Sequence, residues 1–224
     1  MWLITTLIAA LAVITMTFAN VVAVLQTDVK RMLAYSSIAQ VGYMLVGVAS
    51  GGIMGLTGLF LHVFNHSLMK GLAFLSAGSM IEEAGSRDIE KLRGIAKVMP
   101  ITTLTMFIAM LGLGGIPGTA GFISKYLLFG SAIEPGYWWL TVIAALNSAL
   151  SMVYYLRVMK GLVGQPKEAL KATKEAPPFM LGVSVAMATL IILFGVWPAP
   201  MIAYATEAAK ALLNFTGYVK VIMP

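Results

Sequence analysis

Apolar residues run through this chain in long blocks, separated by short polar clusters, with neither the alternation of a strand nor the single apolar face of a soluble helix. The first block, residues 2–25, has no charge and is interrupted only by threonines and Asn20. A helix rises about 1.5 Å per residue, so a block of about 20 residues covers the hydrocarbon core of a bilayer. Blocks of that size lie at about 2–25, 32–50, 53–80, 100–130, 137–160 and 179–197. They predict an all-α, polytopic protein with about six transmembrane helices in a single membrane domain over residues 1–224. A cleaved signal sequence is the competing reading of the first block. No basic residue precedes that block, however, and it outruns the roughly 7–15 apolar residues of a signal core.

The polar clusters punctuate these helices. In the hinge Gln26-Thr27-Asp28-Val29-Lys30-Arg31, either Thr27 or Asp28 suits the cap of the second helix, and Gly51-Gly52 suits its end. Residues 81–99 hold eight charges, with Ile81, Ile89, Leu92, Ile95 and Val98 near helical spacing. This segment reads either as a short helix on the membrane surface or as a solvated loop. The fourth block contains five glycines and Pro117 within residues 112–121, which predicts a helix broken near 112–118. Trp138 and Trp139 open the fifth helix at an interfacial position. Pro198 and Pro200 close the sixth, and Ala203 to Phe215 reads as one more short helix or a frayed tail.

Composition narrows the function. Hydrophobic residues make up 59% and charged residues 11%, against about 45–50% and 25% in an ordinary soluble domain, which excludes one. Cysteine is absent, so the chain has no disulfide, cysteine-ligated zinc or cysteine-held iron–sulfur cluster. With no quinone or flavin motif either, no cofactor and no catalytic redox site are expected, and any electron transfer belongs to a partner. The net charge of +6 would suggest nucleic acid for a soluble domain. Its distribution gives another cause. Six crossings put Lys30, Arg31, Arg87, Lys91, Arg93, Lys97, Arg157, Lys160, Lys167, Lys171 and Lys174 on one side, and only Lys210 and Lys220 on the other. By the positive-inside rule the first side is cytoplasmic and both termini lie outside the cell membrane, with no need of nucleic acid.

Lys70 and Lys125 are left inside the bilayer, and no Asp or Glu falls within the six blocks. His62, His66 and Lys70 are spaced i, i+4, i+8, which lines them along one helix face about 6 Å apart, with Asn65 and Ser67 beside them. A charge at mid-bilayer costs at least about 2.5–3.5 kcal/mol, so such a row points to a water-filled path that moves protons or ions. Imidazole titrates near pH 6.5, and an amine withdrawn from water loses basicity, so both can alternate between charged and neutral forms. The competing readings are histidines that only hydrogen-bond neighbouring helices, and a zinc site for which no third ligand is at hand. Lys125 closely follows the glycine-proline break, where freed backbone groups can line a cavity; close helix packing is the plainer use of those glycines. A phosphate-binding loop is excluded, since the stretch lacks the preceding strand and the Gly-Lys-Ser/Thr ending.

Three stretches in order carry a resemblance: Gln26 to Tyr43, reading QTDVKRMLAYSSIAQVGY; His62 to Lys70, reading HVFNHSLMK; and Gly115 to Lys125, reading GIPGTAGFISK. Together they resemble the antiporter-like proton-channel subunits. That family comprises the large pumping subunits of respiratory complex I, the A and D subunits of Mrp-type sodium/proton antiporters, and matching subunits of membrane-bound hydrogenases. The resemblance covers nearly the whole chain but only the second half of the family's architecture. It implies that the first five helices are the second of two inverted five-helix repeats, the fourth being its discontinuous helix, with the sixth following. It also implies roles. Lys125 resembles the lysine, glutamate in some members, at the exit side of the proton path, and His62, His66 and Lys70 resemble the row that connects the half-channels. The family's first repeat, with its intramembrane glutamate and paired lysine, is missing here. A second chain could supply it, the sequence could be a piece of a longer one, or this half could serve as a structural piece.

The resulting expectation is proton, or sodium/proton, translocation by a subunit of a multi-subunit respiratory-type or Mrp-type complex. The partners would be lipid, other membrane subunits and a chain supplying the first repeat. The alternative is a non-conducting half that scaffolds neighbouring pumping subunits.

Overall fold

The computed structural model describes residues 2–166 and 174–214. Phe215, Lys167, Lys171 and Lys220, on which some sequence expectations fall, lie outside the described residues. The elements are α1 (Trp2–Leu25), α2 (Val29–Ser50), α3 (Ile53–Ala84), a 3-10 turn (Ile95–Lys97), α4 (Pro100–Gly114), α5 (Ala120–Gly130), α6 (Trp138–Val163), α7 (Pro178–Val196) and α8 (Ala199–Leu213). No strand occurs among the described residues; Asp28 and Asp88 form an isolated antiparallel bridge.

Four helices are long and apolar enough to cross a membrane: α1, α2, α6 and α7. The 32 residues of α3 extend about 48 Å, more than the hydrocarbon core requires, but its polar row dilutes its apolar character. The 15 residues of α4 and 11 of α5 extend only about 22 Å and 16 Å, so neither spans alone and the two act as one broken helix.

Local chemistry explains several boundaries. Asp28 caps α2 by accepting from the Arg31 amide at 3.0 Å, and the left-handed Gly51 (φ +67°) ends it. The third helix continues past the expected end near residue 80, through Glu82 and Glu83, and stops at left-handed Gly85. Carboxylates do not break a helix that has reached the headgroup layer; the glycine does. The sixth spanning helix, α7, ends at Val196 with Trp197 as its C-cap, directly before Pro198 as expected, and Pro198 and Pro200 also sit at the N-cap and within the first turn of α8, where a missing amide costs nothing.

Residues 85–99 are neither a surface helix nor a solvated loop. Ile89, Leu92 and Ile95 are buried, and the backbone pairs with the first hinge through Val29 N–H to Arg87 O (3.0 Å) and Ile89 N–H to Thr27 O (2.9 Å). Arg157 donates to the carbonyls of Val24 and Gln26 at the end of α1, where a cation also meets the negative end of the helix. These contacts gather the basic segments at one end of the bundle. At the other end Tyr137 hydrogen-bonds with Thr5 at 3.0 Å, and Ser50, Gly52, Ser131 and Glu134 line one small cavity.

The first turn of α4 is capped from a distance. Glu175 accepts from the Ile101 amide at 2.9 Å and the Thr102 hydroxyl at 2.5 Å. Because Met99, at the N-cap position, makes no side-chain cap bond, Glu175→Ala is expected to lower stability by about 1–2 kcal/mol, read as an earlier thermal midpoint in detergent.

Two apolar cores fill the bundle. One takes Ala23, Leu33, Met69 and Tyr154; the other takes Met16, Tyr43, Leu128 and Ala144. The intervals between them along α1, α2, α3 and α6 contain Asn20, Ser36 and Gln40, His62 and Asn65, and Asn147 and Ser148. A polar layer thus separates the cores, and the candidate residues lie in it.

Candidate functional site

The break between α4 and α5 creates the acceptors around which the site is built. Past Gly114 the amides of Gly115 and Ile116 turn back onto Leu111 and Gly112, which leaves the carbonyls of Leu113 and Gly114 free of intrahelical partners. Leu113 O accepts from Lys125 Nζ at 2.7 Å and from Gln40 Nε2 at 3.1 Å. Gly114 O accepts from Ser148 at 3.3 Å, and Ser148 Oγ accepts from Lys125 Nζ at 2.9 Å. The Lys125 ammonium therefore sits at the negative end of α4. Gly115 is required beside it, since its φ is +82° and a Cβ there would come within 3.0 Å of Lys125 Cδ.

On α3, His62 is fully buried and reaches in two directions. Its Nε2 lies 3.0 Å from Gln40 Oε1 and its Nδ1 lies 2.8 Å from Ser124 Oγ. Gln40 Nε2 donates to Leu113 O, so Gln40 Oε1 faces the imidazole and must accept. Neutral His62 then carries its proton on Nε2, and Nδ1 accepts from Ser124. A second proton fits as well: Nδ1–H donates to Ser124 Oγ, whose hydroxyl turns to Gly121 O at 3.2 Å. Both protonation states keep every ring nitrogen paired.

Lys70 donates to Leu33 O at 2.9 Å and to the Ser36 hydroxyl. Its Nζ lies 6.0 Å from the centre of the Tyr155 ring, and Lys125 Nζ lies 5.0 Å from that of Tyr43. Asn65 Nδ2 donates to Ala120 O, at the start of α5, at 2.8 Å. His66 stacks on His62 with ring centres 6.1 Å apart. His66 Nε2 and Asn65 Oδ1 are buried with no hydrogen-bond partner; the Tyr155 hydroxyl is within reach of Ser36 and Gln40, yet no well-directed bond closes on it. A cavity of about 440 Å3 opens beside Lys125, lined mostly by apolar side chains of α5 and α6 with Ser148 and Thr141.

The structure thus brings Lys125, the break and His62 together through Gln40. The row on α3 is not a continuous chain: His62 and Lys70 reach different turns of α2, and His66 bonds to neither. Sequence reasoning gave no role to Ser36, Gln40, Tyr43, Ser124, Ser148 or Tyr155. The i, i+4 spacing of Ser36 and Gln40, which puts them on one face of α2, was the available signal.

A profile of the family described as NADH:quinone oxidoreductase/Mrp antiporter, TM, matches residues 1–151. The chain is 43% identical over 215 residues to F(420)H(2) dehydrogenase subunit N of Methanosarcina mazei, covering 92% of this chain and 43% of that one. It superposes on a chain of the membrane-bound sulfane sulfur reductase, an archaeal respiratory membrane complex, with TM-score 0.89 and 30% identity, over 97% of this chain and 44% of that one. The Mrp complex from Dietzia sp. DQ12-45-1b shares the fold, with TM-score 0.91 at 20% identity, over 98% and 49% of the two chains. The chain therefore spans less than half the length of each.

Proposed function

The chain belongs to the NADH:quinone oxidoreductase/Mrp antiporter transmembrane family, and on that premise we propose that it moves protons as a subunit of a multi-subunit membrane complex. One observation carries the reading: Lys70 and Lys125, each about 95% buried, stand at the two ends of a polar layer with His62 and Gln40 between them, with no acid in α5 and none within three turns of Lys70 in α3. Neutral oxygens solvate each amine without neutralising it permanently, so each can give up its proton and regain it.

Protons would pass among Lys70, His62 and Lys125 with water completing the steps. Leu113 O cannot carry a proton onward, and neither can the Gln40 amide without an unfavourable tautomer. The unpartnered Asn65 Oδ1, His66 Nε2 and Tyr155 hydroxyl are the places where bound water would be held. Protonated lysine and histidine repel a sodium ion and their neutral forms offer it no anionic ligand, so the proton is the ion these residues handle. A first repeat, on a partner chain or on a longer form of this one, completes the path, and the basic end of the bundle faces the cytoplasm of a cell whose plasma membrane holds the complex. The scaffold reading draws on the absence of a carboxylate at depth. It predicts that neither lysine matters to transport.

Lys70→Ala decides between them. In sealed vesicles containing the assembled complex, proton uptake is expected to fall at least about ten-fold, the scale of a lost proton-transfer group, while wild-type uptake would overturn the proposal.

A further inference from the structure

The two buried lysines have matching surroundings. Each donates to one backbone carbonyl and one serine hydroxyl, Leu113 and Ser148 for Lys125, Leu33 and Ser36 for Lys70. Each also has a tyrosine ring as a third neighbour, Tyr43 at 5.0 Å and Tyr155 at 6.0 Å. The lysines are on different helices and their partners come from three others, so local sequence does not impose the repetition.

Asn20 joins the two sets. Its Nδ2 donates to Tyr43 Oη at 3.0 Å and to Asn147 Oδ1 at 3.1 Å, and its Oδ1 accepts from Tyr154 Oη at 2.9 Å. Tyr154 in turn meets Tyr155 edge to face, with ring centres 4.6 Å apart at 66°. The two Asn147 oxygens, O and Oδ1, can only accept, so they fix the Asn20 amide with Nδ2 toward Asn147 and Tyr43 and Oδ1 toward Tyr154. It is fully buried, and the other polar residues of α1 are threonines.

We propose that Asn20 is a positioning residue of the proton path, holding Tyr43 against Lys125 and, through Tyr154, Tyr155 against Lys70, so that two aromatic faces stand in for fixed carboxylates. A ring face attracts an ammonium through its quadrupole but carries no net charge. It supports the charged amine without trapping the proton, as a paired carboxylate at that depth would. The inference rests on the proton-transfer reading above and assigns α1 a part in it.

The test uses the assembled complex in sealed vesicles. Phenylalanine, then its mono-, di- and trifluorinated forms, replaces Tyr43 and separately Tyr155, which drains the ring face while nearly preserving its shape. Proton transport per turnover is expected to fall stepwise with fluorine number, about two- to five-fold in all. Asn20→Leu should lower transport similarly in the wild type, and by less than about two-fold in a Tyr43→Phe/Tyr154→Phe background, because its route to the lysines is already cut. Flat fluorination series at both rings, or an undiminished Asn20→Leu effect in that background, would overturn the inference. Lys125→Ala, measured alongside, keeps the two levels apart: if it abolishes transport while the series stay flat, only the role of the rings is lost, whereas if it leaves transport intact, the proton-transfer reading falls too.

Discussion

Lys125→Ala abolishes most proton transport while the complex retains its subunits: a loss of at least about ten-fold is expected. The truncation removes the exchangeable proton nearest the helix break. It also strips Leu113 O of one of its two donors and Ser148 of its cation. Leu113 O keeps its Gln40 donor and Ser148 still donates to Gly114 O, so no buried acceptor is orphaned and the fold survives. Lys125→Arg separates proton exchange from charge. Guanidinium keeps the cation at the end of α4 but does not release its proton in a protein, so this variant is expected to assemble and to transport as poorly as alanine. Wild-type transport by Lys125→Arg would make Lys125 an electrostatic fixture.

The second large effect is structural. Gly121, in the first turn of α5, packs against the last turn of α4 so closely that a Cβ there would stand 1.9 Å from Gly112 O and 2.8 Å from its carbon. Backbone atoms cannot turn aside as a side-chain end can. Gly121→Val therefore pushes the two half-helices apart, costs about 3 kcal/mol and draws Lys125 away from Leu113 O. Both stability and transport should fall. Gly182→Ala on α7 is the control, because a Cβ there meets nothing within 4 Å; its expected effect is neutral to stabilising by about 1 kcal/mol.

The parts legible in the sequence are those where one residue type decides the outcome. Long, predominantly apolar runs gave α1, α2, α6 and α7, and glycine with Pro117 gave the break. Lys70, Lys125 and the histidines stood out because ionisable groups are rare in apolar blocks. Tertiary structure decided the rest. Ile89, Leu92 and Ile95 looked like a surface face among charges, but the first hinge pairs with their backbone and draws them into the core. Glu175 is an ordinary linker acid until the fold places it over the first turn of α4. Serine, glutamine and tyrosine are common in membrane helices, so nothing local separated Ser148 or Tyr43 from residues that merely pack. The free carbonyls of Leu113 and Gly114 made them part of the site, and a backbone acceptor has no letter in the sequence.

The most direct measurement is the number of protons moved per turnover by the reconstituted complex carrying Lys70→Ala and Lys125→Ala together, with its subunit composition verified against the wild type. Conduction through this half predicts a clear fall in that ratio at unchanged composition. An unchanged ratio would contradict it and leave the chain a scaffold beside the subunits that do the pumping.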